Sequence, residues 1–150
     1  DGQMLLHRRL DYGGLASFHV LDTRQYRDDQ VNDQFPAGPL DPRALDPARS
    51  LPGDEQERWL FDGLGSSSAR WNVVAQQTIM ARYDYDPGDG VAVNHDQWDG
   101  YVASRERFLR FVDQARPANP VVVTGDWHSS WVNDLLLDFD RPERPPVTET

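Results

Sequence analysis

The sequence predicts an α/β fold, and three observations carry that prediction. Short runs rich in valine and aromatic residues fit strands. Two longer stretches repeat their apolar residues at helical spacing, and the two kinds alternate along the chain as strand, helix, strand, helix, strand. The first run, Leu15 to Leu21, passes straight into a charged turn from Asp22 to Gln30. From Val31 to Pro52 there are five prolines and no sustained period, which predicts a long irregular loop. A helix is expected from Gly53-Asp54, with Asp54 as N-cap, Glu57 as its capping-box partner, and Trp59, Leu60 and Leu64 on the buried side. Gly65 and the serines at 66 to 68 end it.

Trp71 to Gln77 predicts the second strand, and the Asp- and Gly-rich stretch from Tyr83 to Gln97 a second loop. A long helix follows from about Asp99 to Arg116. Tyr101, Val102, Phe108, Leu109 and Val112 recur on its core side, Arg105, Glu106 and Arg110 are expected to face water, and Pro117 closes it. Pro120 to Thr124 is the third strand, and Val132 to Phe139 is a candidate fourth.

Composition narrows the function classes. A chain of 150 residues with 38% hydrophobic content is long enough for one core. A net charge of −10 with no basic stripe argues against a nucleic-acid partner. No membrane-spanning run or signal peptide lies in this segment, and its ends read as cuts in a longer chain. The absence of cysteine removes disulfides, thiolate nucleophiles and cysteine metal cages. All 15 basic residues are Arg, whose planar fork matches phosphate and carboxylate oxygens in a way Lys cannot. No Gly-x-Gly-x-x-Gly, P-loop or Gly-x-Ser-x-Gly is present.

The most informative stretch is Pro120-Val-Val-Val-Thr-Gly-Asp-Trp-His-Ser-Ser-Trp131. Gly125 breaks the strand. A chain of period two then throws Asp126 and His128 onto the same side of the strand's carboxyl end, about 6 to 7 Å apart along the chain. That position, past the carboxyl end of a strand, is where open α/β sheets bind ligands. A carboxylate and an imidazole so placed can hold metal ions, and an aspartate in a turn beside a half-buried histidine is the competing reading. Arg24 follows the first strand and is expected at the same edge. Its guanidinium suits a phosphate or a local carboxylate at Asp22, Asp28 or Asp29. Gln76 and Gln77 end the second strand there, to orient a water or to satisfy backbone groups.

Asp84 to Gly90 departs from a calcium loop at its fifth, sixth and twelfth positions and reads as a solvated turn. Asp99 is expected to cap the long helix, with metal or substrate contact as its second reading, while Trp98 and Tyr101 staple that helix to the core. His19 reads as a satisfied core residue and His7 as surface.

Five blocks taken in order resemble the alkaline phosphatase D, or PhoD-like, family: residues 21 to 27, 51 to 60, 71 to 77, Trp98-Asp-Gly-Tyr101 with Arg105 and Arg107 behind it, and Gly125 to Trp131. The resemblance implies a calcineurin-like metallophosphoesterase fold, a four-layered α/β/β/α sandwich that hydrolyses phosphomonoesters or phosphodiesters with iron and calcium, in proteins that are often exported. It makes Asp126 and His128 the metal ligands within this segment; Asp99, from its place at the entry of the long helix, is a third candidate. His128 and Arg24 are the catalytic candidates, Arg24 on the phosphate-binding side. It covers residues 1–150 as the later part of such a domain. The family's earlier ligand blocks are not present, so the missing N-terminal part of the domain is the expected partner and the isolated segment is expected to be inactive. The alternative is a noncatalytic acidic module that binds calcium loosely or meets a protein partner.

Overall fold

The computed structural model describes residues 4–33, 35–137 and 147–150. Its strands are β1 (Arg8–Tyr12), β2 (Ala16–Val20), β3 (Gly38–Pro39), β4 (Trp71–Gln76), β5 (Ala92–Val93), β6 (Pro120–Thr124), β7 (Asn133–Leu135) and β8 (Val147–Glu149). Its helices are α1 (Asp54–Gly65) and α2 (Val102–Ala115). Six strands form one sheet in the order β1-β2-β4-β6-β8-β7, and β3 with β5 forms a two-stranded ribbon. Strands β2, β4, β6 and β8 run parallel, with β1 and β7 antiparallel at the two edges. The α/β expectation therefore holds.

Period-two alternation gives the sheet two different faces. Ser17, His19, Asn72, Val74, Gln76 and Val122 are buried, and on this side His19 meets the Trp59 ring of α1 at 6.0 Å. Leu10, Phe18 and Val123 remain 52%, 38% and 42% exposed on the described chain. Between the helices, Phe61 and Phe111 stack with centroids 4.4 Å apart. The core gathers Leu60, Leu64, Trp98, Tyr101, Phe108 and Val122.

Two strands escape the sequence reading. Residues Arg8–Tyr12 are exposed throughout, Leu10 and Tyr12 included, and owe their conformation to antiparallel pairing with β2. Val147–Glu149, at the end of a segment that reads as an uncapped tail, slots between β6 and β7. The expected fourth strand shortens to β7, and its last residues, 138 and 139, lie outside the described residues.

The helix starts also differ. At α1 the N-cap is Gly53 with φ 79° and no side-chain cap bond, in place of the Asp54 and Glu57 capping box. A Cβ at Gly53 would lie 2.9 Å from the Tyr26 carbonyl oxygen, so the close approach of that turn selects glycine. Glu57 instead takes two bonds from Arg107, at 2.7 and 3.0 Å. At α2, Trp98–Gly100 forms a 3-10 turn, and Tyr101 is the N-cap without side-chain assistance. Trp98 and Tyr101 are fully buried, as expected of a staple. Arg105, expected in water, is 7% exposed, and Asp99, expected as a cap, is 3% exposed. They form an ion pair at 2.5 Å. The second oxygen of Asp99 accepts from the Tyr83 N–H at 3.0 Å, and Arg105 also donates to the Met80 carbonyl at 3.2 Å. Helical periodicity put Arg105 outside because it cannot register a loop, here residues 80 to 83, lying over the helix.

Leaving one member of a buried ion pair behind costs about 3–5 kcal/mol, whereas replacing both is often near neutral. Urea unfolding of the intact protein should show Arg105→Met destabilised on that order. Asp99→Asn combined with Arg105→Met should recover most of the loss, and an unaffected single variant would contradict the pairing.

Candidate active site

Three adjacent parallel strands deliver their carboxyl ends to one edge. Val20 sits opposite Ala75, and Ala75 opposite Val123. The chain leaving β2 is fixed at once: Asp22, 5% exposed, accepts from the backbone N–H groups of Arg24 at 2.9 Å and Gln25 at 3.1 Å. Burial pushes the Asp22 carboxyl up, but those two N–H bonds and the Gln25 amide outweigh it and hold the group below its ordinary value. Gln56 of α1 accepts from the Asp22 N–H at 2.7 Å and donates to its carbonyl at 2.8 Å. Gln77 accepts from both the N–H and the hydroxyl of Thr23 at 2.8 Å and donates to the Leu21 carbonyl at 2.8 Å. Gln76 accepts from the Trp98 indole at 3.0 Å and donates to Thr124 Oγ1 at 2.6 Å. Both strand-end glutamines thus serve the turns, the second of their two expected roles.

Beyond β6 the chain does not continue with period two. Asp126 and His128 both have positive φ, 66° and 57°, so the loop is not the extended chain expected to set them on one side. Left-handed backbone is uncommon outside glycine, though Asp and His are among the residues that enter it most readily. Two instances in three residues mark a segment held in an unusual shape, a pattern that clusters at functional sites. Both side chains are exposed. No hydrogen bond engages the His128 ring among the described residues.

Arg24 joins the two loops. Its Nη1 donates to both carboxylate oxygens of Asp96 at 2.8 Å, and its Nη2 lies 3.4 Å from Asp126 Oδ2. The carboxylates expected for it are wrong in identity: Asp22 binds only its backbone, and the side chain pairs with Asp96 and Asp126. Arg27 completes the group, donating to Asp96 Oδ1 at 2.7 Å and to its carbonyl at 3.2 Å. The Arg24 and Asp126 side chains are 39% and 55% exposed, where such pairs contribute about 0–1 kcal/mol. Their consequence is orientation of the guanidinium. Sequence reading missed Asp96, whose only advance signal is the i, i+3 pair Arg24 and Arg27 in need of an acid.

Asp126 and His128 offer the donors that a hydrolytic metal site uses, a hard oxygen and an imidazole nitrogen, and neither is consumed by structure beyond the long contact to Arg24. They fit as part of a ligand set. Among the described residues no three acidic or imidazole groups converge on one point. Asp99 is directed to Arg105 and Tyr83. His19 is buried with one ring nitrogen 3.4 Å from Ser17 Oγ and the other unpartnered, so it is a core residue satisfied on one side only. His7, read as surface, packs its ring 4.8 Å from Trp59 and is half-buried. The Asp84 loop is an exposed turn in which Asp84 accepts from Asp86 N–H at 3.0 Å and Ala92 N–H at 2.9 Å.

The profile of a family described as PhoD-like phosphatase matches residues 1–150. The chain belongs to the PhoD-like phosphatase family. It is 49% identical over 138 residues to a protein named alkaline phosphatase D from Bacillus subtilis (strain 168), covering 92% of this chain and 24% of that protein. A solved structure described as "Structure of PhoD" superposes with a TM-score of 0.91 at 46% identity, covering 98% of this chain and 28% of that one. This PhoD-like chain therefore spans about a quarter of the length of the relatives it matches.

Burial pushes the Asp96 carboxyl up, and hydrogen bonds from Arg24 and Arg27 outweigh it, holding the group below the usual carboxylate value. The stability that Asp96 contributes is thus complete above about pH 3.9 and lost as pH falls through its lower folded value. A carbon-detected NMR titration should find Asp96 below the ordinary value in the native protein. With Arg24→Ala and Arg27→Ala combined, burial alone remains and the group should titrate above it; a titration unmoved by removing both arginines would break the assignment.

Proposed function

We propose that this chain supplies the later part of a metal-dependent phosphate-ester hydrolase, acting on small phosphomonoesters or phosphodiesters. The single observation that carries this reading is the meeting of Arg24 with Asp126 at 3.4 Å, past the ends of strands separated by β4. It sets the Arg24 guanidinium, which this reading assigns to phosphate, beside a carboxylate on the short loop that also carries the His128 imidazole. Family membership and the likeness to a protein named alkaline phosphatase D support it.

In this reading Asp126 and His128 hold a metal, and iron and calcium, the pair implied by the family resemblance, would neutralise phosphate oxygens and acidify a water. Arg24 meets two oxygens of the phosphoryl group and steadies the charge that grows on them. His128 ligates or positions the attacking water. Asp96 keeps the Arg24 fork aimed across the edge. For Asp99 the buried pairing with Arg105 favours a structural role over ligation. Residues 1–150 are the later part of the domain in this proposal. The exposed apolar face with Leu10, Phe18 and Val123 supports the further layer of a four-layered sandwich, contributed by the rest of the domain. An extracytoplasmic location follows from the same resemblance; no described helix is long and apolar enough to cross a membrane. The rival reading, a loose calcium-binding module, draws on the lack of a third converging ligand among the described residues.

In the intact protein, Asp126→Asn or His128→Ala should lower turnover of a bis-aryl phosphodiester by at least about 10². Near-normal activity and metal content in both variants would refute the assignment. Arg24→Ala should lower kcat with little change in thermal melting.

A further inference from the structure

Trp127 stands between Asp126 and His128, and none of the site chemistry above uses it. Its ring meets Tyr83 edge-on at 5.2 Å and Tyr85 at 6.2 Å. Trp131 approaches Tyr83 at 5.7 Å and stays 44% exposed. Four aromatic rings from two loops thus form one cluster that starts at the proposed metal ligands. Beside it lies a cleft of about 190 Å³, lined by Ile79, Trp127, Ser129 and Trp131 among others. Sites for drug-sized ligands run to about 300–1,000 Å³, so this one suits a single ring rather than a polymer.

The polar groups of the cleft narrow the ligand. Glu149, 2% exposed, spends its carboxylate on the Met80 and Ala81 N–H groups and on Thr124 Oγ1, at 2.7, 2.9 and 2.7 Å. The Trp131 indole N–H is committed to Ser129 Oγ at 2.7 Å, which also fixes the ring. Thr124 Oγ1 and Ser129 Oγ are engaged as well, so the Trp127 and Trp131 rings, with the polar side chains of Ser130 and Asn133 beside them, form the recognition surface left. Such faces take a flat apolar ring edge-on or offset.

We propose that Trp127 and Trp131, with Tyr83 packed against both rings, form a subsite for an aromatic ester group of the substrate, so that the enzyme prefers aryl over alkyl phosphate esters. The inference rests on the phosphohydrolase reading, since the place of Trp127 in the chain between Asp126 and His128 is what makes the ring part of a phosphate ester.

Phenylphosphonate and methylphosphonate separate binding from leaving-group chemistry, because neither is hydrolysed. Calorimetric titration of the intact protein should show phenylphosphonate bound about tenfold tighter than methylphosphonate. In Trp131→Ala the ratio should fall toward one, and Trp131→Phe should restore most of it, which separates a ring contact from a general folding defect read by thermal melting. Equal affinities in the native protein, or a ratio that survives both Trp131→Ala and Trp127→Val, would overturn the subsite while leaving the phosphate site standing. Failure to bind either phosphonate would overturn the phosphate site and the subsite together.

Discussion

Parallel pairing of β2, β4 and β6 is the constraint on which the site depends. With Val20, Ala75 and Val123 abreast, the chain leaves three neighbouring strands on one edge, and Arg24, Gln77 and Asp126 arrive there from three separate segments, the first and last 102 residues apart in sequence. A slip of one residue would turn each strand's side chains to the other face and carry the exit turns with them. Packing on the helix side guards that register, with Val74 and Val122 buried against it.

A second layer of order comes from buried amides and carboxylates rather than from apolar contact. Gln56, Gln76, Gln77 and Glu149 each satisfy two or more groups in the turns around the edge. Each bond is worth only about 0.5–1.5 kcal/mol net, but losing one leaves a buried partner unsatisfied at about 1–3 kcal/mol. The turns are therefore stiff where they leave the strands. At Asp126 and His128 the side chains are exposed and nearly free of protein partners, so a stiff base presents uncommitted donors. That division suits a site whose remaining ligands come from elsewhere.

Much of this was legible in the sequence. Valine runs and helical periods located β2, β4, β6 and both helices, and Gly-Asp-x-His with Arg24 marked the edge. What escaped did so for physical reasons. Residues Arg8–Tyr12 and Val147–Glu149 become strands through long-range pairing that local propensity cannot register. Asp54 and Glu57 satisfy a capping rule, yet Tyr26 and Arg107 claim the space and the charge. Arg105 and Asp99 look like surface and cap until the 80 to 83 segment covers them. Asp96 was missed because its partners lie 72 and 69 residues away, so that the Arg24 and Arg27 pair did not say which acid it would meet. The shared edge of Asp126 and His128 was anticipated from an extended chain, whereas a left-handed loop carries them.

The central claim is that Asp126 and His128 bind metal within reach of Arg24. Anomalous diffraction from crystals of the intact protein, collected on both sides of the iron edge and at a long wavelength for calcium, tests it most directly. The account predicts a metal peak about 2.0–2.6 Å from an Asp126 oxygen and a His128 ring nitrogen, with the Arg24 guanidinium facing the same pocket. Metal peaks ligated only by other residues, with Asp126 and His128 left unliganded, would contradict it.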